Sequence, residues 1–325
     1  MAEITMVQAI QQALTIEMEK DPRVVILGED VGRNGGVFRV TDGLIERFGK
    51  DRVIDTPLAE SAIIGTSVGM SVNGLKPVAE IQFLGFIYEA MDQIASQAAR
   101  MRFKSAGRFH VPVVIRSPYG GGVRTPELHS DSLEALFSHT PGLKIVMPSN
   151  PYDAKGLLIS AIRDNDPVLF LEPMKLYRTC KQDVPEGEYE IQIGKAHIVK
   201  EGHHATIVSW GPPVQTLKKI VDEYEKEDIH LELIDLRTVA PIDIETILKS
   251  VEKTERLLIV HEAVKTNGIG AEIAALVSEK GLFSLSAPIL RVTGYDTPYP
   301  VGTVEDDWLP NDKRIKLSVE KLLSY

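Results

Sequence analysis

Cysteine is the residue type that the sequence lacks most. Cys180 stands alone, so the chain can form neither an internal disulfide nor a zinc or iron–sulfur site built from several cysteines. No apolar run approaches the roughly 18 residues that a membrane helix needs. The first residues also lack the basic and apolar regions of a secretory signal. We therefore expect a protein that works in the reducing cytoplasm and does not enter a membrane.

Positive charge is also scarce. Lys and Arg total 36 against 46 Asp and Glu, which gives a net charge of -10. Nucleic acids and anionic membranes select proteins with an excess of positive charge on one face. The composition therefore argues against both as partners, although a basic protein partner remains compatible. At 325 residues, 43% of them hydrophobic, the chain is long enough for two ordinary globular domains.

Several common nucleotide and hydrolase motifs are missing. The sequence contains no GxGxxG, GxxxxGK[ST] or HExxH pattern. Residues 267–270 (Asn-Gly-Ile-Gly), at a predicted helix start, are explained more simply by close packing of a helix on a sheet. The usual sequence signals of dinucleotide binding, phosphate binding and zinc proteolysis are therefore missing.

Short apolar runs alternate with amphipathic helical patterns along the whole chain. This alternation predicts an α/β fold in which helices cover both faces of a parallel sheet. A polar, turn-rich stretch between Arg178 and Ile191 separates two such sets, and we place the domain boundary after residue 185. The expected domains are therefore residues 1–185 and 186–325. Within the first, apolar spacing predicts one long helix over residues 86–104.

Glu60 follows a predicted buried strand and a turn that contains Pro57, and it lies in the first turn of the next helix. One interpretation is an acid that offsets the helix dipole, which contributes at most about 1 kcal/mol. The other is a carboxyl that exchanges a proton with a bound cofactor. In the second interpretation the apolar neighbours exclude water and favour the protonated form. These neighbours are Leu58, Ala59, Ile63 and Ile64.

His129 precedes another predicted helix, in which Asp131 and Glu134 have the spacing of a capping box. The positive end of a helix dipole disfavours a charged imidazole, so a neutral ring that donates or accepts a proton is expected here. The alternative is a histidine of the capping loop without a chemical role.

Motifs at the expected carboxyl ends of strands, where open parallel sheets bind ligands, resemble one known family. They are Glu29-Asp30-Val31, residues 55–60 (Asp-Thr-Pro-Leu-Ala-Glu), Gln82-Phe83, residues 120–123 (Gly-Gly-Gly-Val), His129-Ser130 and residues 151–158. The resemblance is to the beta subunits of thiamine-diphosphate-dependent 2-oxo acid dehydrogenases, and it runs nearly end to end. It implies a pyrimidine-binding domain, then a transketolase C-terminal-like domain, in an alpha-2 beta-2 heterotetramer.

The resemblance also implies roles for individual residues. Glu60 would hydrogen-bond the pyrimidine ring of thiamine diphosphate, and His129 would lie near the thiazolium, where substrate and the lipoyl arm enter. The residues implied to line the pyrimidine pocket are Glu29, Leu58, Gln82 and Phe86. The family holds magnesium and diphosphate with a GDG…NN motif, which this chain lacks. A separate alpha subunit must therefore supply Mg²⁺ binding, and the chain alone should be inactive.

A structural potassium site is a further implication of the resemblance, formed mostly by backbone carbonyls. The matching positions are Val113, Ala161, Ile162, Asp164 and Asp166. Relatives often have Asn in place of Asp166, and a simple helix-ending turn is the alternative interpretation. The family also docks the peripheral subunit-binding domain of an acyltransferase core. Acidic groups that could serve this docking are Glu305, Asp306, Asp307, Asp296 and the Tyr325 carboxylate, although an ordinary acidic surface would look the same.

The expected substrate is pyruvate. Residues 82–86 and 125–131 resemble pyruvate-specific members, whereas Arg124 and residues 294–298 resemble some branched-chain members. We expect oxidative decarboxylation of pyruvate and reductive acetylation of lipoyl-lysine on the acyltransferase. The alternatives are a branched-chain 2-oxo acid or acetoin dehydrogenase beta subunit and, from another class, a non-catalytic assembly or regulatory subunit.

Overall fold

The computed structural model describes residues 2–325. They form two compact units by the density of their internal contacts. The first unit consists of the residues up to Tyr119 together with Leu136–Ile193, and the second consists of Gly120–Ala135 and Gly194–Tyr325. The chain therefore passes to the second unit early, returns, and passes to it again. The predicted domain boundary after residue 185 stays a prediction.

Strands and helices alternate along the chain. The strands are β1 Ala2–Thr5, β2 Val24–Gly28, β3 Val53–Asp55, β4 Lys76–Glu80, β5 Val114–Tyr119, β6 Lys144–Val146, β7 Val168–Pro173, β8 Lys181–Val184, β9 His197–Lys200, β10 Ala205–Ser209, β11 Leu231–Asp235, β12 Thr238–Ala240, β13 Leu257–Val264 and β14 Leu290–Gly294. The α-helices are α1 Met6–Lys20, α2 Leu44–Phe48, α3 Glu60–Val72, α4 Met101–Lys104, α5 Glu134–Ser138, α6 Pro151–Arg163, α7 Leu176–Thr179, α8 Pro212–Glu225, α9 Ile244–Thr254, α10 Ile269–Gly281, α11 Glu305–Trp308 and α12 Asp312–Leu323.

The main sheet of the first unit has the order β6-β7-β5-β4-β2-β3, and each neighbouring pair is parallel. Strands β2, β5 and β7 are buried along their whole length, as expected for a parallel sheet covered on both faces. Because all these strands run the same way, their carboxyl ends lie at one edge of the sheet.

Helix α1 shows how local sequence fixes an element of the first unit. Thr5 caps its first turn in a capping box with Gln8, and the chain leaves the helix at Asp21. The helix packs on α6 and buries the face that the four-residue spacing predicts. The residues of this face include Met6, Ile10, Leu14 and Met18.

The polar stretch predicted as a linker contains a strand that the sequence analysis missed. Strand β8 pairs antiparallel with β1, with Thr5 opposite Lys181. Most of β8 is exposed, so its side chains carry no buried pattern. Only its backbone pairing with β1 identifies β8 as a strand, and the periodicity of side chains does not predict backbone pairing.

The predicted single α-helix over residues 86–104 is wrong. The chain forms a 3₁₀-helix at Leu84–Ala90, a π-helix at Gln93–Ala98 and then α4. Leu84, Ile87 and Ala90 are buried at the three-residue spacing of a 3₁₀-helix. Apolar positions alone did not distinguish this spacing from that of an α-helix.

In the second unit the strand order is β14-β13-β10-β11-β9. The pairs among the first four strands are parallel, as predicted, whereas β9 pairs antiparallel with β11 and contains a register shift. The prediction of a wholly parallel unit is therefore wrong at this edge, where a half-buried polar strand gave no apolar run. Helix α8 buries the predicted face, whose residues include Val214, Leu217, Ile220, Val221 and Tyr224. Within residues 2–325, no helix combines the length and apolarity needed to cross a bilayer.

Candidate functional site at the strand ends

Glu60 is the first residue of α3, directly after the turn that leaves β3. Its relative exposure is only 8%. Among the hydrogen bonds and ion pairs formed within residues 2–325, none involves its carboxyl group. A mostly covered carboxyl group at a strand end, with no hydrogen bond from the protein, is available to a ligand. The helix-dipole interpretation of Glu60 remains the alternative.

Glu29 lies directly after β2 and close to Glu60. Burial raises the pKa of Glu29, and the negative charges of Asp30 and Glu60 raise it further. A backbone hydrogen bond links the segments that lead to these two residues: the amide of Thr56 donates to the carbonyl of Gly28 at 2.9 Å. Two of the predicted site residues thus meet at neighbouring strand ends, where they repel each other if both are ionised.

The glycine-rich loop after β2 is tied to the end of β3. The Asp55 carboxylate accepts from the amide of Gly32 at 2.6 Å and from the amide of Arg33 at 3.2 Å. A Cβ at Gly32 would lie 2.8 Å from Asp55 Oδ2, so a larger residue would push the loop away. The loop is therefore fixed beside the turn that leads to Glu60.

Gln82 and Phe86 follow β4, the strand that pairs with β2. Both are half-buried. The ring of Phe83, between them, packs edge-on against Phe86 and Phe38, with centroid distances of 5.8 and 5.6 Å. Phe38 in turn lies 5.0 Å from the ring of Tyr177. This aromatic cluster joins the loop after β2 to the end of β4, so Gln82 and Phe86 lie along the same sheet edge as Glu29.

The apolar neighbours that were expected to shield Glu60 differ in exposure. Ile63 and Ile64 are buried, at 3% and 0% exposure, whereas Leu58 is 69% exposed. Leu58 lies in the connection between β3 and α3, which runs over the surface as such turns do. Within this chain it therefore does not keep water from the carboxyl, and its predicted place in a pyrimidine pocket stays a prediction.

Sequence reasoning missed a buried charge network at the same edge. Arg116 of β5 donates from Nε and Nη2 to both oxygens of Glu172, at 2.6 and 2.8 Å, and from Nη1 to Glu80 at 2.7 Å. The hydroxyl of Tyr177 donates to Glu172 at 2.6 Å. Burial raises the pKa of Glu80 against the attraction of Arg116, and the charge of Glu172 adds to the rise. The available signal was a charged residue inside each of three apolar strands.

His129 belongs to the second unit. It ends the 3₁₀-helix Glu127–His129, is half-buried, and its amide donates to the carbonyl of Pro126 at 2.9 Å. The predicted capping box is wrong, because α5 begins at Glu134 itself. The Glu134 carboxylate is buried and accepts from the indole of Trp210 at 3.2 Å instead of capping a helix. Burial raises the pKa of Glu134.

The residues of the expected potassium site are engaged in other contacts. Lys144 lies 2.6 Å from Asp164, and Arg102 lies 2.8 Å from Asp166. The carbonyl of Val113 accepts from the amide of Val168, and that of Ala161 accepts from the amide of Asp164. These contacts lie at and near the end of α6. The potassium site, including Ile162, stays a prediction.

The acidic residues expected to dock a partner differ in exposure. Asp296 is exposed, and its carboxylate accepts from the amide and hydroxyl of Thr266, which lower its pKa. Tyr325 is 54% exposed. Glu305 is only 1% exposed and accepts from the Tyr299 hydroxyl at 2.6 Å, so its expected place on the surface is wrong. Its partners are Tyr299, six residues earlier, and Gly122, 183 residues earlier, and a run of three acids does not reveal these contacts.

Comparisons with known proteins agree with this architecture. Residues 2–179 match the family model "Transketolase, pyrimidine binding domain", and residues 194–315 match "Transketolase, C-terminal domain". The chain is 55% identical to "Pyruvate dehydrogenase E1 component subunit beta" of Bacillus subtilis and 56% identical to that of Staphylococcus epidermidis. Both matches cover 100% of each chain.

A solved structure titled "Split gene transketolase, inactive beta4 tetramer" superposes with a TM-score of 0.82 over 99% of both chains. Its sequence identity is 20%, so it supports the fold alone. The two family models thus define a two-domain protein of the transketolase class. Within that class, the full-length relatives show that the chain belongs to the family of pyruvate dehydrogenase E1 component beta subunits.

Proposed function

We propose that this chain is the beta half of a thiamine-diphosphate-dependent decarboxylase that acts on pyruvate and works only with a separate alpha subunit. The observation that carries the proposal is the buried Glu60 carboxyl, which no group within residues 2–325 hydrogen-bonds. A carboxyl in that state fits a ligand with a ring nitrogen, and the thiamine pyrimidine has one. When bound, the cofactor supplies the electron sink for decarboxylation.

The chain's own residues then bind and orient this cofactor. Glu60 would share a proton with the pyrimidine nitrogen. The pKa of Glu29 is raised, which favours its neutral form, and a neutral Glu29 does not repel the Glu60 carboxylate. Gln82 and Phe86 line the pyrimidine pocket from the next strand end. Leu58, exposed in this chain, joins the pocket when a second chain covers it. His129 holds or donates the proton needed when the acyl group passes to lipoyl-lysine.

The remaining half of the site comes from the alpha subunit. The sequence lacks the motif that holds magnesium and diphosphate. No group of three or more His, Cys, Asp or Glu side chains suited to a metal ion lies within residues 2–325. We therefore assign Mg²⁺ binding to the alpha subunit of an alpha-2 beta-2 assembly. Any potassium ion would rest on the backbone carbonyls near Asp164 and Asp166.

Docking of the acyltransferase core is the last part of the proposal. Asp296 and Tyr325 are exposed, and the lowered pKa of Asp296 keeps its carboxylate charged. Such charges raise the association rate of a basic binding domain and make docking sensitive to salt.

The first experiment replaces Glu60 with Gln in the complex reconstituted with an alpha subunit. Because the proton-sharing carboxyl is lost, we expect pyruvate decarboxylation to fall by roughly 10²- to 10⁴-fold. The matched control is Glu46→Gln, which changes an exposed acid in the first turn of α2. This control should keep full turnover and cofactor affinity. Near-wild-type turnover of Glu60→Gln would refute the role of Glu60.

A second experiment tests the substrate and the class of protein. The reconstituted complex is offered pyruvate, branched 2-oxo acids and acetoin, and binding of thiamine diphosphate is followed while alpha subunit is titrated in. We expect cofactor binding that depends on the alpha subunit and the highest kcat/KM for pyruvate. Preference for another substrate would reassign the specificity. Failure to bind cofactor at any alpha concentration would favour a non-catalytic subunit.

A further inference from the structure

The segment that carries His129, residues 120–135, is bound to the rest of the second unit by buried side chains near residue 300. The Gly122 amide donates to Glu305 Oε2 at 3.2 Å and to the Tyr299 hydroxyl at 3.3 Å. The Tyr299 hydroxyl donates to the same carboxylate at 2.6 Å. Tyr299 and Glu305 are 6% and 1% exposed. Gly122 therefore rests on a buried phenol and carboxylate that also bind each other.

The glycine run at the start of the segment suits this contact. A Cβ at Gly121 would overlap the Tyr299 hydroxyl, and one at Gly120 would lie 2.6 Å from Glu262 Oε2. Gly122 itself has a positive φ of 85°, which side chains disfavour. The three glycines thus let the backbone lie directly on buried polar groups of the second unit.

Two more contacts restrain the segment on either side of His129. Arg124 has a left-handed φ of 60°, and its guanidinium donates to the carbonyl of Gly302 at 2.8 Å and to Asp306 at 2.7 Å. A conformation of this kind persists only where surrounding contacts enforce it. After His129, Glu134 accepts from Trp210, which stacks on the buried ring of His261 with a centroid distance of 5.0 Å.

We propose that Tyr299 and Glu305 are positioning residues that hold the 120–135 segment in one conformation and thereby set His129 for acyl transfer to the lipoyl group. This inference rests on the proposed function of His129. Burial and the Glu305 hydrogen bond raise the pKa of Tyr299, so the phenol stays protonated and keeps donating throughout the working pH range. Neither residue needs to touch the reacting atoms for this role.

The test uses Tyr299→Phe and Glu305→Gln in the complex reconstituted with alpha subunit. The matched control is Tyr224→Phe, which removes another second-unit hydroxyl that donates only to the carbonyl of Lys316. Hydrogen exchange of the amides in residues 120–135 is the first measurement. Because a hydrogen bond to a charged group is lost, we expect exchange about tenfold faster or more in Tyr299→Phe than in the control. Equal exchange rates would overturn the proposal.

The second measurement is a double-mutant cycle with His129→Ala. Decarboxylation is followed with an artificial electron acceptor, and reductive acetylation is followed with a lipoyl domain. We expect Tyr299→Phe to slow reductive acetylation more than decarboxylation, and the double variant to be no slower than His129→Ala alone. If the fold-losses of the two single variants in the rate of reductive acetylation multiply in the double variant, Tyr299 does not act through His129 and the inference is overturned.

The two measurements separate this inference from the proposed function. If His129→Ala leaves both rates unchanged, the proposed role of His129 fails and its positioning for acyl transfer fails with it. The exchange data still decide independently whether the pair holds the segment. If Glu60→Gln retains turnover while the cycle behaves as expected, the role of Glu60 fails alone.

Discussion

Two sets of carboxyl groups lie at the same edge of the first-unit sheet, and they differ in their hydrogen-bond partners. The first set is Glu80 and Glu172, and the second is Glu60 alone. Glu80 and Glu172 share the guanidinium of Arg116, and Glu172 also accepts from Tyr177. Glu60 is nearly as buried, yet its carboxyl has no hydrogen-bond partner within residues 2–325. The first set is satisfied by the protein, so its function is structural. The Glu60 carboxyl receives no such contact from the described residues, and we propose that the cofactor supplies it.

The largest effect on stability should come from Glu172→Gln. This change removes a charge that accepts three hydrogen bonds and leaves Arg116 buried with one carboxylate. We expect a loss of about 3–5 kcal/mol in the free energy of unfolding. Urea unfolding followed by circular dichroism measures it, because both tryptophans, Trp210 and Trp308, lie in the second unit. Glu60→Gln should lose little stability, and equal losses in both variants would break the comparison.

Tyr177→Phe should have the next largest effect. It removes one hydrogen bond to the Glu172 carboxylate and leaves the ring in place. Hydrogen bonds to charged groups contribute about 1.5–3 kcal/mol, and we expect a loss in that range. Tyr189→Phe is the matched control, since its hydroxyl donates to the neutral carbonyl of Tyr152. If the control lost as much stability as Tyr177→Phe, the charge of Glu172 would not strengthen the hydrogen bond from Tyr177.

The smallest effect should come from Glu80→Gln, because Glu80 accepts only one hydrogen bond from Arg116, and the burial that raises its pKa makes its charge costly. We expect a cost near neutral pH of about 1 kcal/mol or less. The stronger test is pH dependence. An acid with a raised pKa binds more protons in the folded than in the unfolded state, so stability falls as pH rises from the ordinary value of 4.5 to the folded pKa.

Glu80→Gln should remove this part of the slope and leave the rest of the pH profile intact. Unfolding of both proteins at a series of pH values measures the difference. A slope that is the same in the variant would mean that folding does not change the pKa of Glu80.

The sequence predicted those parts of the molecule that depend on local pattern. The four-residue spacing of Met6, Ile10 and Leu14 identified α1, and the buried run of β2 identified a central strand. Glu60 was singled out because a strand, a turn and a helix start are all visible in adjacent residues. These features need no knowledge of what lies across the sheet.

The parts that escaped prediction depend on partners distant in the chain. Arg116 meets Glu80 and Glu172 only because β5 lies between β4 and β7, an order that one sequence does not reveal. Glu305 looked like a surface acid until Tyr299 and Gly122 covered it. Leu58 looked like part of a closed pocket and is exposed, since apolar character alone does not specify which chain covers a residue.

The path of the chain between its two units limits how the protein can be dissected. A fragment that begins at Gly194 would contain Trp210, Tyr299 and Glu305 but not the 120–135 segment that covers them. Removing the segment would uncover groups that are at most 6% exposed in the intact chain: the Tyr299 phenol, the Trp210 indole and the acids Glu262 and Glu305. A single cleavage site therefore cannot separate two self-sufficient pieces. A faithful second-unit fragment would have to carry residues 120–135 on a new linker.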